Sequence, residues 1–341
     1  MASTNPDKQG EQPDFPLRHF HFPLFEPVIK ANGFRYAQIS RRRLREAIEW
    51  ADIVHLEENM LLEAVAVRLA KKMGKPCVAS FHLFPQNITA NLNLPRKEFI
   101  SPMIIKGWAF NVLNQCRRIH CPSETAKEYL ISNGVKTNIH VISNGTRIGD
   151  TPLPKLDING RYPIICIGRY ANEKAQDVLL DAMRYSRYAS RIDLHFAGKG
   201  PKEKKYRKMA ESLMNDGVLS VRPTFRFYNA GQLRDLAHKA YLYVHCAWVE
   251  VEGLSCLDAL RDGAVPVIGD SSLVGTSQFA LTAESLYPQG NARALAERID
   301  WWIEHPAEHS QMREQYHQSA AIYEIGEMTR RLIDMYNEAL A

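Results

Sequence analysis

Short apolar, β-rich runs alternate with amphipathic helical patterns along this chain, and that alternation limits the folds open to it. ADIVHL (51–56) precedes NMLLEAVAVRLAKKM, and PCVASFH (76–82) precedes a long mixed segment. RRIHCPS (117–123) leads into ETAKEYLIS, and NIHVISNG (138–145) closes the series. After a stretch containing Pro and Gly, DTPLPKLDINGRYP (150–163), the alternation resumes with IICIG, LHFAG, YLYVHC, AVPVIG and SLYP. Strands alternating with helices imply parallel sheets covered on both faces. A chain of 341 residues is also too long for one ordinary core. Two doubly wound, Rossmann-like α/β domains are therefore expected. The boundaries read as a polar, disordered leader over 1–15, an N-terminal domain over 16–150 and a C-terminal domain over 151–325. A last helix, 326–341, is expected to return to the N-terminal domain.

Composition removes several function classes. The formal net charge of +5 is too small to argue for nucleic-acid binding, and no basic stripe interleaves with aromatics. The leader has no apolar h-region and no run approaches the roughly 20 residues needed to span a bilayer, so a cytoplasmic protein is expected. Six scattered cysteines without a C-x-x-C pair read as buried free thiols. The twelve histidines show no H-E-x-x-H, and the one H-x3-H pair, His305 and His309, has no paired cysteines beside it, so no protein-held metal and no resident cofactor are expected.

In doubly wound sheets ligands bind where strands run into helix N-termini, so the chemistry is sought just after each strand. After IICIG come Gly168, Arg169, Tyr170, Ala171, Asn172, Glu173 and Lys174. A tight turn at Gly168 with cations at 169 and 174 beside a helix start suits a diphosphate. After LHFA come Gly198 and Gly200, which permit close backbone approach to a ligand. After YLYVHC comes the segment Glu250 to Asp258, with Gly253 where a loop becomes a helix. Amides around Gly253, Leu254 and Ser255 then face an anionic or hydroxyl-rich ligand, flanked by two carboxylates. Each loop alone has a bland reading: a solvated charge cluster, an ordinary tight turn, a capped helix. Three such loops in this order do not share one.

In that order, G-R-x3-E-K, G-x-G-P and E-x7-E with A-x3-G-x-x-P-V-I resemble the C-terminal half of the family 4 retaining glycosyltransferases, over roughly 162–290. The resemblance implies the two-domain GT-B fold, with a donor diphosphate on Arg169 and Lys174. It places the sugar against Glu250 and the amides near Gly253. The ribose would meet the second carboxylate, where this chain has Asp258 instead of the usual Glu. By the same resemblance transfer proceeds from a nucleoside diphosphate hexose, a UDP-sugar by family frequency, to a hydroxyl acceptor. The alternative is a non-catalytic sugar-nucleotide-binding or partner protein derived from the family.

The N-terminal half resembles the family more loosely. His82 matches a histidine that faces the donor sugar in family members, and HLFPQNIT (82–89) is similar to the H-x-x-P-E-N pattern of bacterial lipid glucosyltransferases, with Gln86 for Glu. A lone histidine after a strand also serves as an ordinary structural residue. The segment 95–118 carries Phe99, Met103, Ile104, Ile105, Trp108, Phe110 and Val112 between basic ends. It reads either as a helix lying on the inner face of a membrane, with Trp108 and Lys106 at the interface, or as a core-packing helix. Against the family pattern, the N-terminal domain is expected to lack its first βα units, which implies an exposed sheet edge and either a partner chain to complete it or poor stability.

Overall fold

A computed structural model describes residues 2–3, 12–21, 23, 26–31, 35–90, 97–149 and 152–341. They form two compact units, 1–142 with 329–341, and 143–328.

The first unit is built on a four-stranded parallel sheet whose strands lie side by side in chain order: Val54–Leu56, Cys77–Ser80, Arg118–Cys121 and Ile139–Val141. Helices Leu61–Lys72, Lys97–Asn111 and Glu124–Ser132 connect them. The first of these shows why the segment is helical. Ala64, Val67 and Ala70 recur on one buried face, the Glu63 carboxylate accepts from the Met60 amide (3.1 Å), and Lys71 and Lys72 sit in the last turn, where the dipole favours cations. The C-terminal helix Ile325–Leu340 brings residues 329–341 into this unit. There Tyr336 Oη pairs with His55 Nδ1 (2.7 Å), and Arg117 donates to the Ala339 carbonyl (2.7 Å).

Two features bear on the reading of the sequence. Within the leader, Ala2–Ser3 pairs in parallel with Phe15–Pro16, so those residues belong to a strand pair, while 4–11 lie outside the described residues. In the helix Lys97–Asn111, Trp108 turns inward, 8% exposed, with its ring 6.5 Å from that of Phe81. The exposed side chains are Phe99, Met103 and Phe110, spaced along one stripe with Lys106. Arg96 and the side chain of Lys97 lie outside the described residues.

The second unit carries a six-stranded, wholly parallel sheet. Its order is Thr224–Arg226, Ile192–Ala197, Tyr162–Ile167, Leu242–His245, Val265–Asp270, Leu286–Pro288. Numbered along the chain this is 3-2-1-4-5-6, the doubly wound order, which reverses direction between Tyr162–Ile167 and Leu242–His245. Ile164, Ile165, Leu242, Val244, Val265, Val267 and Ile268 are fully buried, as expected of strands covered on both faces. Six buried cysteines are free. Among the described residues no helix is long and apolar enough to cross a membrane.

Candidate active site in the second unit

The pocket at the carboxyl ends of the two central strands lies at the reversal point. It is lined by Cys166, Ile167, Lys174, Gln176, Val244, His245, Cys246 and Ala247. Strand order dictates this place: loops leaving the two strands turn to opposite faces and open a crevice between them.

The loop after Tyr162–Ile167 is shaped by glycines. Gly168 adopts φ 151°, and its amide donates to the Ala197 carbonyl (2.9 Å), while the Tyr170 amide donates to Lys199 (3.1 Å). A Cβ on Gly198 would run into the Gly168 carbonyl, and one on Gly200 would lie 2.5 Å from the Tyr170 carbonyl oxygen. These two glycines are therefore filled against the 168–170 backbone. The sequence implies close backbone approach to a ligand; the close approach the structure shows is to the neighbouring loop. The two glycines hold one ligand loop against its neighbour.

Beyond Tyr170 a 3₁₀ turn over Asn172–Lys174 ends at Ala175, which is held in the left-handed region at φ 45°. That turn aims Lys174 at the carboxylate of Glu250, with which it forms an ion pair. Arg169 Nη2 donates to the buried Glu173 carboxylate (2.6 Å). Gln176 is 1% exposed; its Nε2 donates to the Arg169 carbonyl (3.0 Å), and its Oε1 is buried with no hydrogen bond among the described residues.

Glu250 is anchored by its backbone, donating to Leu273 O (2.9 Å) and accepting from Gly275 N (2.8 Å). Burial pushes its carboxyl upward, but Lys174, with His245 and Arg169, outweighs burial and holds it below the ordinary value. His245 Nε2 stands 3.8 Å from the Glu250 carboxylate, and its Nδ1 pairs with Tyr243 Oη (3.0 Å), which in turn meets Ser255 Oγ (2.9 Å). Burial lowers His245 to about 4, leaving it neutral near pH 7. Gly253 begins the helix Leu254–Arg261 at φ 91°, a left-handed conformation, where a Cβ would collide with Thr276. The N-cap of this helix is a glycine and so offers no side-chain cap.

Asp258 departs from expectation. It accepts from Thr146 Oγ1 (2.6 Å) and from Arg261 Nη1 (2.8 Å), one turn along the same helix. Both bonds fall on Oδ1 of a side chain that is 45% exposed. Glu252, unnoticed in the sequence, is buried and accepts from Ser143 Oγ, the Asn144 amide (3.2 Å) and Asn144 Nδ2 (2.6 Å), fastening the start of this unit to the loop.

Arg169, Lys174 and Glu250 are thus brought together, as the motif spacing required, with Leu254 and Ser255 at the helix start. His82 lies in the first unit, following the strand Cys77–Ser80, with its Nε2 3.4 Å from Glu57 and its ring 5.2 Å from that of His120. Glu173, Gln176 and His245 were not singled out in the sequence. Glu173 belonged to a motif already quoted, whereas nothing local marks Gln176 or His245 as pocket-lining.

The model described as "Glycosyl transferases group 1" matches residues 153–320, and the "Glycosyltransferase Family 4" model matches 2–148, so together they take in nearly the whole chain. The chain is a family 4 glycosyltransferase of the GT-B type. This transferase is 22% identical over 267 residues to an alpha-monoglucosyldiacylglycerol synthase of Streptococcus pneumoniae, covering 71% of this chain and 58% of that protein. It therefore spans little more than half the length of that curated relative. The catalytic domain of the cholesterol-alpha-glucosyltransferase from Helicobacter pylori is 42% identical over 48% of this chain and 98% of its own, at TM-score 0.45. Anabaena HepE, solved in complex with UDP, matches 94% of this chain and 90% of its own at TM-score 0.72 and 15% identity, a likeness of fold.

Proposed function

We propose that this transferase moves a hexosyl group from a nucleoside diphosphate sugar, a UDP-sugar first, to a hydroxyl acceptor with retention at the anomeric carbon. The observation that carries this reading is the Lys174–Glu250 ion pair at the switch point of the second sheet, with Arg169 beside it. At this site each cation of the cradle is matched by a carboxylate, Lys174 by Glu250 and Arg169 by Glu173. A donor diphosphate exchanges Lys174 from Glu250 to its own oxygens and releases Glu250 toward the sugar hydroxyls.

The anomeric C–O bond breaks with its electron pair going to the departing phosphate oxygen. Lys174, Arg169 and the uncapped amides of Leu254 and Ser255 stabilise that charge. The acceptor oxygen bonds to the anomeric carbon on the face the diphosphate leaves, and its proton passes to the departing phosphate. No carboxylate nucleophile is required. His245 stays neutral and positions Glu250, and His82, paired with Glu57, is assigned to the sugar.

The name of the pneumococcal relative makes a lipid hydroxyl the first acceptor to try. The exposed stripe Phe99, Met103 and Phe110 with Lys106 gives this protein a face suited to a membrane surface. The test is turnover of labelled UDP-sugars with vesicles carrying diacylglycerol or monoglucosyldiacylglycerol. Glycolipid formation that disappears in Glu250→Gln supports the reading. UDP binding without transfer to any lipid or glycan acceptor favours a binding protein instead.

A further inference from the structure

The geometry points to a divalent transition-metal site, occupied in the first place by Zn2+, formed by His19, His21 and Glu26 in the first unit. The proposed transfer reaction makes no use of these residues. His19 Nε2 lies 3.6 Å and His21 Nδ1 3.5 Å from the same carboxylate oxygen of Glu26, and the two rings meet edge to face at 4.2 Å. One ligand atom from each residue lies within 4.8 Å of the other two. Among the described residues no other trio of His, Cys, Asp or Glu converges in this way.

Both imidazoles stand at ion-pair distance from Glu26, longer than the roughly 2.7–3.2 Å of a direct hydrogen bond, a spacing that also admits a shared ion. Ligands about 2.0–2.1 Å from a tetrahedral Zn2+ stand roughly 3.3–3.4 Å apart. The two N–O spacings are near the edge length of such a tetrahedron, and all three ligand atoms lie within 4.8 Å of one another.

Local structure explains how they come to face one another. His19 and Phe20 form a short strand, and in extended chain residues i and i+2 share a face, so His19 and His21 project to the same side. Glu26 opens the helix Glu26–Ala31. The His19 side chain is 22% exposed and that of Glu26 14%, while His21 at the rim is 66% exposed. His19 Nε2 is buried and finds no hydrogen bond among the described residues, a cost that coordination would remove.

Two imidazoles and one carboxylate suit Zn2+, Ni2+ or Cu2+ far better than Mg2+ or Ca2+, which demand oxygen. The exposed rim leaves the fourth position to water. The metal would tie the strand to the helix. The strand otherwise pairs only with Tyr36–Ala37 among the described residues, and a two-stranded ribbon has little stability of its own.

The test uses the full chain without a polyhistidine tag, stripped by chelator and titrated with Zn2+ against a chromophoric competitor. One Zn2+ per chain, a rise in melting temperature with Zn2+ but not Mg2+, and visible Co2+ absorption of a tetrahedral N/O site are expected. In His21→Asn, which alters an exposed side chain, the metal-free melting temperature should not move. Its Zn2+ affinity should fall roughly 100-fold or more, because loss of an outer-shell partner alone costs 10–100-fold. His19→Asn should do the same. Absence of Zn2+ binding at micromolar concentration overturns the proposal, and so do variants that bind Zn2+ as the unaltered chain does.

Discussion

Lys174 and Glu250 satisfy each other as an ion pair, and that pairing sets what each contributes to the reaction. Glu250 is held in its charged form by cations in spite of burial, so it is available as an acceptor of sugar hydroxyls once Lys174 turns to phosphate. Glu250→Gln keeps the shape but loses the charge. Turnover of a labelled UDP-sugar should fall at least about 100-fold, a loss of about 2.7 kcal/mol of transition-state stabilisation; turnover within threefold of the unaltered enzyme would remove Glu250 from the site. Arg169, Lys174, Gly253 and Glu250 were legible because each sits at a fixed offset from a strand end. The partners of Asp258 were not. Thr146 lies 112 residues earlier in the chain, and no local pattern announces that bond. His19 and His21 were passed over for a related reason. Metal spacing was sought at helical intervals, whereas a strand presents ligands two residues apart.

At the scale of elements, the alternation of strands and helices reads directly from the sequence, because fully buried parallel strands are near-continuous apolar runs. Which face of a helix is buried reads less well. The 97–111 helix is apolar all round, so its composition did not show that Trp108 packs toward Phe81 while Phe99, Met103 and Phe110 face outward. Trp108→Ala should therefore destabilise the protein by about 3–5 kcal/mol, read by urea unfolding; a change below 1 kcal/mol would contradict the inward packing. Met103→Glu with Phe110→Glu should leave stability nearly unchanged and reduce sedimentation with anionic vesicles. Equal sedimentation would dismiss this face as a membrane contact.

The loops at 168–170 and 198–200 behave as one element, since the backbone of the first fills the space beside the glycines of the second. Gly198→Ala has to push the 168–170 loop, and with it Arg169, out of place. Loss of most UDP affinity is expected, together with a lower melting temperature. Retention of both would show that the two loops are not coupled.

For the whole molecule, acid sensitivity follows from buried histidines. Burial lowers His120, His245 and His309 each to about 4. The unfolded chain takes up these protons near pH 6.5, so between about 6.5 and 4 it binds more protons than the folded chain does. Stability therefore rises with pH across that window and is lost as pH falls through it, by on the order of 1–2 kcal/mol per histidine between pH 7 and 5. Glu58, raised to about 7 chiefly by desolvation, acts in the opposite sense, as do the raised carboxyls of Glu63 and Asp181, while His55, His140, His195 and His238, also lowered by burial, add to the histidine side. Melting temperature should drop from pH 7 to pH 5, and a flat profile would contradict the burial of these rings.

The central claim is that Lys174 exchanges Glu250 for a donor diphosphate, and calorimetric titration of UDP into the unaltered protein, Lys174→Ala and Glu250→Gln tests it most directly. Lys174→Ala should weaken UDP about 10- to 150-fold, the worth of a hydrogen bond to a charged group. Glu250→Gln should bind UDP at least as tightly as the unaltered protein, because the carboxylate that competes for Lys174 is gone. Unaltered affinity in Lys174→Ala, or weaker binding in Glu250→Gln than in the unaltered protein, would contradict the exchange.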